Sequence, residues 1–458
     1  MKKEMEMAWI LCQAEDGQEI SLRGSIHALR PMGEITFLIL RRGQSFVQCV
    51  WEEGCKVLTE EEQEDGADAA KGRRTTEGQT KDRKALREEM AVEITGIVRK
   101  EPRAIHGAEL RVSALRILSR PAEPMPLCIN KGRVKASLET RLNLRSVTLR
   151  NPLEAARFRI QEGLVRGFRD YLHGQGFTEV HTPKLIAKGA EGGANIFHLQ
   201  YFGQQAELAQ SPQFYKQALV GVYDRVFEVG PVFRAEKHNT VRHLNEYVSM
   251  DLEMGYIDGF EDVMEMETGA LKAMFRLLEE EYDRELSALG VEVPQIGRIP
   301  RIRFDGAKEL AAQLSGRPVS RTGDLGPEEE AVLGRYFREQ MGSDFVFVTH
   351  YPSRKRPFYA MDDPKDPRVT LSFDLLFRGL EVTTGGQRIH DYGRMMQKLE
   401  DRGMDPEELS SYLMIFRCGM PPHGGLGIGL ERLTMKLLGE DNVREASLYP
   451  RDVKRLTP

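Results

Sequence analysis

Residues 58–90 set the strongest constraint on how this 458-residue chain can fold. The segment is rich in charged residues, glycine and threonine and has almost no apolar side chains, as between Thr59 and Asp65. A stretch of this composition cannot bury enough surface to offset the entropy that ordering would cost. We therefore expect residues 58–90 to be a charged, disordered insertion between folded segments, and the sequence leaves its role open.

Short segments of alternating apolar and polar residues lie on both sides of the insertion, and such alternation is typical of β-strands. Three precede it and two follow it: Glu19–Ile26, Ile35–Leu40, Ser45–Trp51, Ala91–Val98 and Leu110–Leu118. Five short strands with an excursion between the third and the fourth predict an all-β barrel of the oligonucleotide-binding (OB) type over residues 1–120. A generic β-barrel is the alternative that strand number alone leaves open.

The remainder of the chain mixes helices with strands. A proline-containing hinge or linker is expected over residues 121–150, followed by a helix that begins at Asn151-Pro152 and ends at Gly174. Strands are predicted at Arg225–Glu236, at Glu246–Tyr256 and as a pair within residues 369–384. Because no regular βαβ order is present, we expect residues 151–458 to form an α+β domain around an antiparallel sheet.

Several kinds of protein are excluded by what the sequence lacks. No run reaches the ~18 apolar residues of a membrane span, and the acidic N-terminus is unlike a signal peptide. The five cysteines form no CxxC pair, which argues against zinc ribbons and disulfide frameworks. There is no P-loop motif, and the glycines from Gly425 to Gly429 lack the spacing of a dinucleotide-binding turn. We expect a cytoplasmic protein without a membrane partner.

Charge is unevenly distributed along the chain. The 65 Lys+Arg and 70 Asp+Glu residues give a net charge of −5, which taken alone argues against a nucleic-acid partner. Residues 131–170, however, contain ten Lys/Arg residues against four Asp/Glu. This local excess predicts a basic surface that an RNA could use, with an ordinary solvated face as the alternative.

The two predicted strands at 225–236 and 246–256 carry the densest set of candidate functional groups. Side chains alternate along a strand, so Glu228, Arg234 and Glu236 share one face of the first strand. One face of the second strand is apolar, and its other face carries Tyr247, Ser249, Asp251 and Glu253. The intervening loop adds His238, Arg242 and His243. This pattern favours a polyanion site, while a solvated polar face with surface ion pairs is the alternative.

Five segments match a known family in order. Residues 176–183 (Gly-Phe-Thr-Glu-Val-His-Thr-Pro), 233–251 and 427–432 (Gly-Ile-Gly-Leu-Glu-Arg) resemble motifs 1, 2 and 3 of class II aminoacyl-tRNA synthetases. Residues 209–217 and 385–390 are similar to segments of the aspartyl-tRNA synthetase family in its archaeal and eukaryotic form. The resemblance runs from about residue 18 to the C-terminus, interrupted by the charged insertion. It implies an OB-type anticodon-binding domain and a class II catalytic domain.

The resemblance also implies ATP and Mg²⁺ as cofactors. Arg234, Glu236 and Arg432 are implied as catalytic, holding the α-phosphate, the adenine amino group and the γ-phosphate. The implied ATP-binding set is Arg234, Glu236, His243, Tyr247, Glu381, Gly429 and Arg432. The implied metal ligands are Asp374, Glu381 and Thr384. Asp374 and Glu381 have opposite strand parity, so both reach one site only across a bulge or turn, for which Arg378-Gly379 is the predicted position.

For the amino acid, the family pattern implies that Lys216 and Arg388 bind the aspartate side chain, since an anion requires cations. The whole implied aspartate-binding set is Glu191, Ser211, Gln213, Lys216, Arg234, Asp251, Thr384 and Arg388. Arg30, Phe37 and Gln48 correspond to anticodon-reading positions, and an aromatic ring is a suitable platform for a base. Pro183 lies in motif 1, which implies a homodimer.

The function implied is an ATP-dependent ligase that activates L-aspartate as aspartyl-adenylate and transfers it to the 3′ end of tRNA(Asp), with tRNA(Asn) open as a second acceptor. The nearest alternative is an asparaginyl-tRNA synthetase, against which Lys216 argues because that pocket must favour a neutral amide. A paralogue that makes asparagine would lack the N-terminal barrel. A paralogue that only binds RNA would not require Arg234, Glu236 and Arg432, all of which are present.

Overall fold

A computed structural model describes residues 7–52, 55–58, 86–187, 195–238, 240–319 and 323–458. The chain divides into two compact units, residues 1–135 with 150–152 and residues 136–149 with 153–458. The predicted linker at 121–150 therefore contributes to both units. No helix in the described ranges is both long enough and apolar enough to cross a membrane.

The N-terminal unit is a closed barrel of five strands with a sixth, short strand at its side. Its elements are α1 (Met7–Gln13), β1 (Glu19–Met32), β2 (Ile35–Arg42), β3 (Ser45–Trp51), β4 (Lys56–Leu58), β5 (Ala91–Lys100) and β6 (Ala108–Ser119). The strand order is β3-β2-β1-β5-β6-β4, and a parallel pairing of β3 with β6 closes the barrel. Alternate side chains such as Leu38, Leu40, Val47 and Ile94 fill its interior, which confirms the predicted small barrel.

The segment at 58–90 differs from its prediction at both ends. Leu58 ends strand β4, and Leu86 and Met90 are buried in the barrel core. Glu89 is also buried, where Arg41 at 2.9 Å and Arg150 at 3.1 Å neutralise its carboxylate. Residues 59–85, to which the predicted disorder chiefly applied, lie outside the described residues.

The C-terminal unit contains helices and a mixed sheet, as predicted for an α+β domain. The helices are α2 (Leu138–Asn143), α3 (Arg145–Thr148), α4 (Pro152–Gly174), α5 (Gln213–Tyr223), α6 (Phe260–Glu281), α7 (Asp283–Leu289), α8 (Phe304–Ser315), α9 (Pro327–Met341), α10 (Tyr392–Asp401), α11 (Ser410–Arg417) and α12 (Leu430–Leu438). The strands are β7 (Thr178–Glu179), β8 (Leu185–Ile186), β9 (His198–Tyr201), β10 (Gln204–Leu208), β11 (Arg225–Phe233), β12 (Glu246–Gly255), β13 (Arg301–Arg303), β14 (Phe345–Thr349), β15 (Asp362–Asp363), β16 (Asp366–Thr370), β17 (Ser372–Phe377), β18 (Leu380–Gln387) and β19 (His423–Gly429).

An eight-stranded sheet with the order β13-β14-β17-β18-β19-β12-β11-β7 organises this unit. Its six central strands are antiparallel, and the pairs at its two edges are parallel. Apolar side chains of α4 and α6 pack on one face, which we call the core face, as predicted from the spacing of Ile160, Leu164 and Phe168. Gly167 allows close packing there, because a Cβ would lie 2.7 Å from the Met274 Cα.

The prediction that residues 131–170 form a basic surface is wrong for three of their ten cationic side chains. Arg141, Arg145 and Arg157 are buried or nearly so, and they surround the carboxylates of Glu154 and Glu445. Arg145 also donates to the carbonyls of residues 447 and 448 at 2.7 and 2.8 Å. Sequence counting missed this because Glu445 is about three hundred residues away in the chain. These arginines hold the C-terminal segment rather than a surface ligand.

Candidate active site

A cavity of about 890 Å³ opens on the face of the eight-stranded sheet opposite the core face. Thirteen of the predicted site residues line it: Ser211, Gln213, Lys216, Arg234, Glu236, His243, Tyr247, Asp251, Glu381, Thr384, Arg388, Gly429 and Arg432. They come from the start of α5 and the loop before it, from the β11–β12 connection, from β12, from β18 and the residue after it, from the end of β19, and from the first turn of α12. The fold thus brings together side chains that are up to 221 residues apart, from Ser211 to Arg432.

The connection between β11 and β12 holds the first group of cavity residues. Strand β11 ends at Phe233 rather than at Glu236 as predicted, and Arg234 then turns into the cavity. The Asn245 side-chain amide donates to the carbonyls of Arg234 at 2.7 Å and Glu236 at 3.0 Å. The Arg234 guanidinium lies over the Tyr247 ring, 5.6 Å from its centroid. Asn245 therefore holds the backbone at Arg234, and the Arg234 guanidinium and the Tyr247 ring lie against each other.

His243 is held as a neutral imidazole at this end of the cavity. Its Nδ1 is within hydrogen-bonding distance of the Thr240 hydroxyl, and its Nε2 lies 3.5 Å from Glu236. Burial lowers the pKa of His243, and the nearby Arg432 and Arg242 charges lower it further, although Glu236 opposes them. Near neutral pH the ring is thus available as a hydrogen-bonding group without an added charge.

Arg432 and Arg242 are oriented by different partners. Arg432 donates to the carbonyls of Glu381 at 3.1 Å and Arg242 at 3.3 Å, and lies 3.5 Å from the Glu381 carboxylate. Arg242 is paired with Glu330 on α9 at 2.7 Å, and Glu330 also accepts from the Glu381 backbone N–H at 3.1 Å. Sequence reasoning did not find Glu330, because no motif connects α9 with the cavity.

The predicted cations of the aspartate pocket are both buried and paired. The Lys216 ammonium donates to Asp251 and to the Leu426 carbonyl, each at 2.9 Å, and lies 3.3 Å from Glu253. Arg388 donates to Glu253 at 2.8 and 3.3 Å. Burial opposes ionisation of Glu253, but Arg388 and Lys216 outweigh it and hold the pKa of this carboxyl below its ordinary value.

The Glu253 carboxylate contacts both cations, and the glycine residues of strand β19 leave space for it. A Cβ on Gly425 would lie 2.0 Å from a Glu253 carboxylate oxygen, so only glycine fits opposite this side chain. Sequence reasoning placed Glu253 on the polar face of β12 but assigned it no role. The sequence signal that could have identified Glu253 is its spacing of two residues from Asp251, which places both side chains on the same face of the strand.

A buried row of three hydrogen-bonded side chains lies behind this pocket, and the sequence analysis did not predict it. The Tyr412 hydroxyl donates to the Gln217 side-chain oxygen Oε1 at 3.0 Å, and the Gln217 side-chain nitrogen Nε2 lies 2.9 Å from His423 Nε2. Burial lowers the pKa of His423 to about 4, so the ring is neutral near pH 7. These hydrogen bonds fix α5, which carries Lys216, against the start of β19.

The predicted metal ligands are separated. Glu381 and Thr384 line the cavity, and the Thr384 hydroxyl lies 3.3 Å from the Glu381 carboxylate. Asp374 pairs directly with Thr384 across β17 and β18, but its carboxylate lies 2.7 Å from Arg356 and is not among the described cavity-lining groups. Burial raises the pKa of Asp374 to about 7, nearby Glu381 and Asp324 charges add to this, and Arg356 opposes it.

The parity difference between Asp374 and Glu381 is resolved by a bulge, although not at Arg378-Gly379. The register shifts between Leu375 and Leu376, whereas Arg378 and Gly379 form a two-residue hairpin turn with φ values of 46° and 71°. Among the described residues, no group of three or more His, Cys, Asp or Glu side chains is arranged to hold a metal ion. The oxygen atoms of Glu381 and Thr384 fit Mg²⁺, which takes one or two protein ligands and completes its shell with water and phosphate.

The remaining predicted residues lie elsewhere. Arg30 pairs with Phe37 across β1 and β2, and Gln48 pairs with Ile39 across β2 and β3, so all three side chains share the outer face of the barrel. Pro183 is exposed just before β8. Glu228 accepts from Lys184 at 2.8 Å and from Thr182, and it is not among the residues that line the cavity. Glu191 lies outside the described residues.

Comparison with known proteins gives two family matches and relatives of full length. Residues 137–453 match the family described as tRNA synthetases class II (D, K and N), and residues 20–118 match the OB-fold nucleic acid binding domain. An aspartate–tRNA(Asp/Asn) ligase of Deinococcus radiodurans is 44% identical, over 97% of this chain and 96% of that one. An aspartate–tRNA(Asp) ligase of Pyrococcus horikoshii is 37% identical, over 97% of each chain.

Among solved structures, the asparaginyl-tRNA synthetase from Pyrococcus horikoshii complexed with asparaginyl-adenylate is similar to this chain. The TM-score is 0.86 at 32% identity, over 97% of both chains. The backbone is thus shared between relatives with different amino acids in their names, so the fold alone does not select the substrate.

Proposed function

The chain belongs to the class II tRNA synthetases (D, K and N), and from this premise we propose that it is the ligase that charges tRNA with L-aspartate at the expense of ATP. The predictions of an OB-fold domain, an α+β catalytic domain and a class II aspartate–tRNA ligase are confirmed by these relatives. The residue roles, the metal and the assembly below are our proposals.

The observation that supports aspartate is the buried pair of cations, Lys216 and Arg388, at one end of the cavity. An aspartate carboxylate can share them with Glu253, whereas a neutral amide would gain far less from two desolvated cations. Asp251, Ser211 and Gln213 lie beside them and can receive the α-ammonium group. The rival is an asparaginyl-tRNA synthetase, supported by the similar solved backbone.

In the activation step, an oxygen of the aspartate α-carboxylate attacks the α-phosphorus of ATP, and the bond to pyrophosphate breaks. A carboxylate is already a nucleophile, so the chain needs to position and neutralise charge rather than remove a proton. Arg234 would hold the carboxylate and α-phosphate, and Arg432 the outer phosphates. Glu236 and Tyr247 would hold the adenine, with Gly429 leaving room beside Arg432.

Mg²⁺ fits at Glu381 and Thr384, where it would reduce the negative charge of the phosphates. Asp374 would act on that site through its neighbours, since Arg356 engages its carboxylate. His243 would give a hydrogen bond to the phosphates without a positive charge of its own.

The test of this function is ATP–pyrophosphate exchange by the purified protein with aspartate or with asparagine. We expect exchange with aspartate, a large preference over asparagine, and loss of exchange in Arg234→Ala. Absence of aspartate-dependent exchange in the parent protein would contradict the proposal, and a preference for asparagine would support the rival.

We propose tRNA(Asn) as a second acceptor, supported by the Deinococcus radiodurans relative, whose name includes both tRNAs. Charging each tRNA with labelled aspartate decides this. Arg30, Phe37 and Gln48 are proposed to bind the anticodon because they share one outer face of the barrel. Phe37→Ala should weaken tRNA binding by about 1–3 kcal/mol and leave exchange unchanged.

A homodimer is proposed from the motif 1 resemblance and from the exposure of Pro183 and of Leu185, which is 48% exposed. Sedimentation of the purified protein tests it, and a monomer would contradict it. A cytoplasmic location stays a prediction.

A further inference from the structure

Besides Arg242, which is paired with Glu330, four cations that line the cavity are assigned to neither ATP nor aspartate: Arg354, Lys355, Arg356 and Arg402. They belong to the segment that follows β14 and to the end of α10, whereas the cations assigned to ATP and aspartate come from α5, the β11–β12 connection, the residue after β18, and α12. A different set of elements therefore adds positive charge to the cavity wall.

Two of the four cations, Arg356 and Arg402, have structural contacts within the cavity wall. The Arg356 guanidinium is 3.8 Å from the centroid of the Tyr351 ring and is paired with Asp374. Arg402 donates to the carbonyls of Ser353 at 2.7 Å and Arg356 at 2.8 Å. Both side chains are thus used to fix the short helical turn Ser353–Lys355, which we call the basic turn.

The basic turn is held from a second side by α10. The Lys398 ammonium donates to the Ser353 hydroxyl at 2.7 Å and to the Asp362 carboxylate at 2.6 Å. The Ser353 hydroxyl itself donates to Asp362 at 2.7 Å. A turn held by so many hydrogen bonds presents its two remaining side chains at a defined place.

Those side chains, Arg354 and Lys355, are exposed. Within the described residues neither one forms an ion pair with a carboxylate, in contrast to Lys216, Arg388 and Arg242. An exposed cation without a carboxylate partner pays little desolvation energy and can exchange its counterions for phosphate. Two such cations side by side on a rigid turn suit a polyanion that must bind and then leave.

We propose that Arg354 and Lys355 bind the phosphodiester backbone of the tRNA acceptor end as its terminal nucleotide enters the cavity. This assignment rests on the proposed function, because the terminal ribose must reach the activated aspartate and brings its neighbouring phosphates to the same cavity. ATP is the less fitting ligand, since Arg234 and Arg432 already serve its phosphates from other elements.

The experiment compares the parent protein with the double variant Arg354→Ala/Lys355→Ala. We expect exchange with ATP and aspartate to keep its kcat and both KM values within about twofold, because the turn's own hydrogen bonds are untouched. In aminoacylation, the KM for tRNA should rise about tenfold or more. The slope of log KM for tRNA against log salt should fall by roughly 1.4, the value for two phosphate contacts on a single strand.

The control is Lys272→Ala/Arg276→Ala, which removes the same charge from the exposed side of α6. It should leave the tRNA KM and the salt slope close to those of the parent, and an equal effect there would overturn the assignment in favour of long-range attraction. An unchanged tRNA KM in the double variant would also overturn it, as would a raised ATP KM, which would assign the turn to the nucleotide. A parent protein without aspartate-dependent exchange would instead refute the proposed function.

Discussion

Glu253 and Glu267 are both fully buried, and they lie on opposite faces of the eight-stranded sheet. Glu253 extends from β12 towards the cavity, where Lys216 and Arg388 meet it. Glu267 extends from α6 into the core face, where the groups that act on its pKa are the Thr383 hydroxyl and the Asp374 charge, with no cation among them. The same side chain at the same burial therefore meets two different electrostatic environments.

As a consequence, the pKa values of the Glu253 and Glu267 carboxyl groups shift in opposite directions. The pKa of Glu253 is lowered because its two cations outweigh burial, whereas burial raises the pKa of Glu267 to about 8, and the nearby Thr383 hydroxyl opposes this only in part. Depth within the protein does not decide whether a carboxyl is charged; the partners supplied by the fold do. The cavity face retains charges because it supplies counter-charges, and these are the groups that can recognise an anionic amino acid.

The largest expected effect comes from removing one of those cations. Lys216→Met should reduce aspartate-dependent exchange by about 10²–10³-fold, because a preorganised charge is lost from a desolvated site. ATP–pyrophosphate exchange measures it, and thermal unfolding checks that the variant is folded. Lys272→Met, at an exposed position on α6, is the matched control. A decrease below about tenfold would show that Lys216 serves Glu253 and Asp251 rather than the substrate.

The next effect concerns stability on the cavity face. Glu253→Gln leaves Arg388 and Lys216 without their shared carboxylate and should lower the free energy of unfolding at pH 7 by about 3 kcal/mol. Because the folded-state pKa of Glu253 is depressed, its contribution is present above the unfolded pKa and is lost as the pH falls through the folded value. Urea unfolding of Glu253→Gln beside Glu265→Gln, an exposed acid, measures this. Equal stability of both variants would mean that the three charged groups are independent.

The sequence predicted the elements whose patterns are local. Helix α4 follows the spacing of Ile160 and Leu164, and the barrel follows five alternating strands. Strand alternation also places Ser249 and Asp251 on one face of β12, the face that lines the cavity. The roles expected of the cavity residues, by contrast, come from the resemblance of their motifs to a synthetase family.

What the sequence could not predict depends on partners distant in the chain. Glu445 binds Arg141 and Arg157 from the other end of the unit, which places two cations of the expected RNA surface in buried ion pairs. Glu330 reaches Arg242 from α9. The bulge beside Leu375 arises from pairing between strands rather than from residues with a turn signature. Each of these features depends on a contact between residues far apart in the sequence, which the local spacing of apolar and polar residues does not reveal.

The smallest effect is expected on the core face, and it has the opposite sign to that of Glu253. The folded protein keeps a proton on Glu267 that the unfolded chain releases above its ordinary pKa, so this group destabilises the fold increasingly as the pH rises towards about 8. Glu267→Gln removes that penalty and should raise the free energy of unfolding at pH 6 by roughly 2 kcal/mol, with little change at pH 4. Urea unfolding at both pH values, beside Glu265→Gln, measures the difference. A loss of stability at pH 6 would show that Glu267 is ionised in the fold, and the contrast between the two faces would then fail.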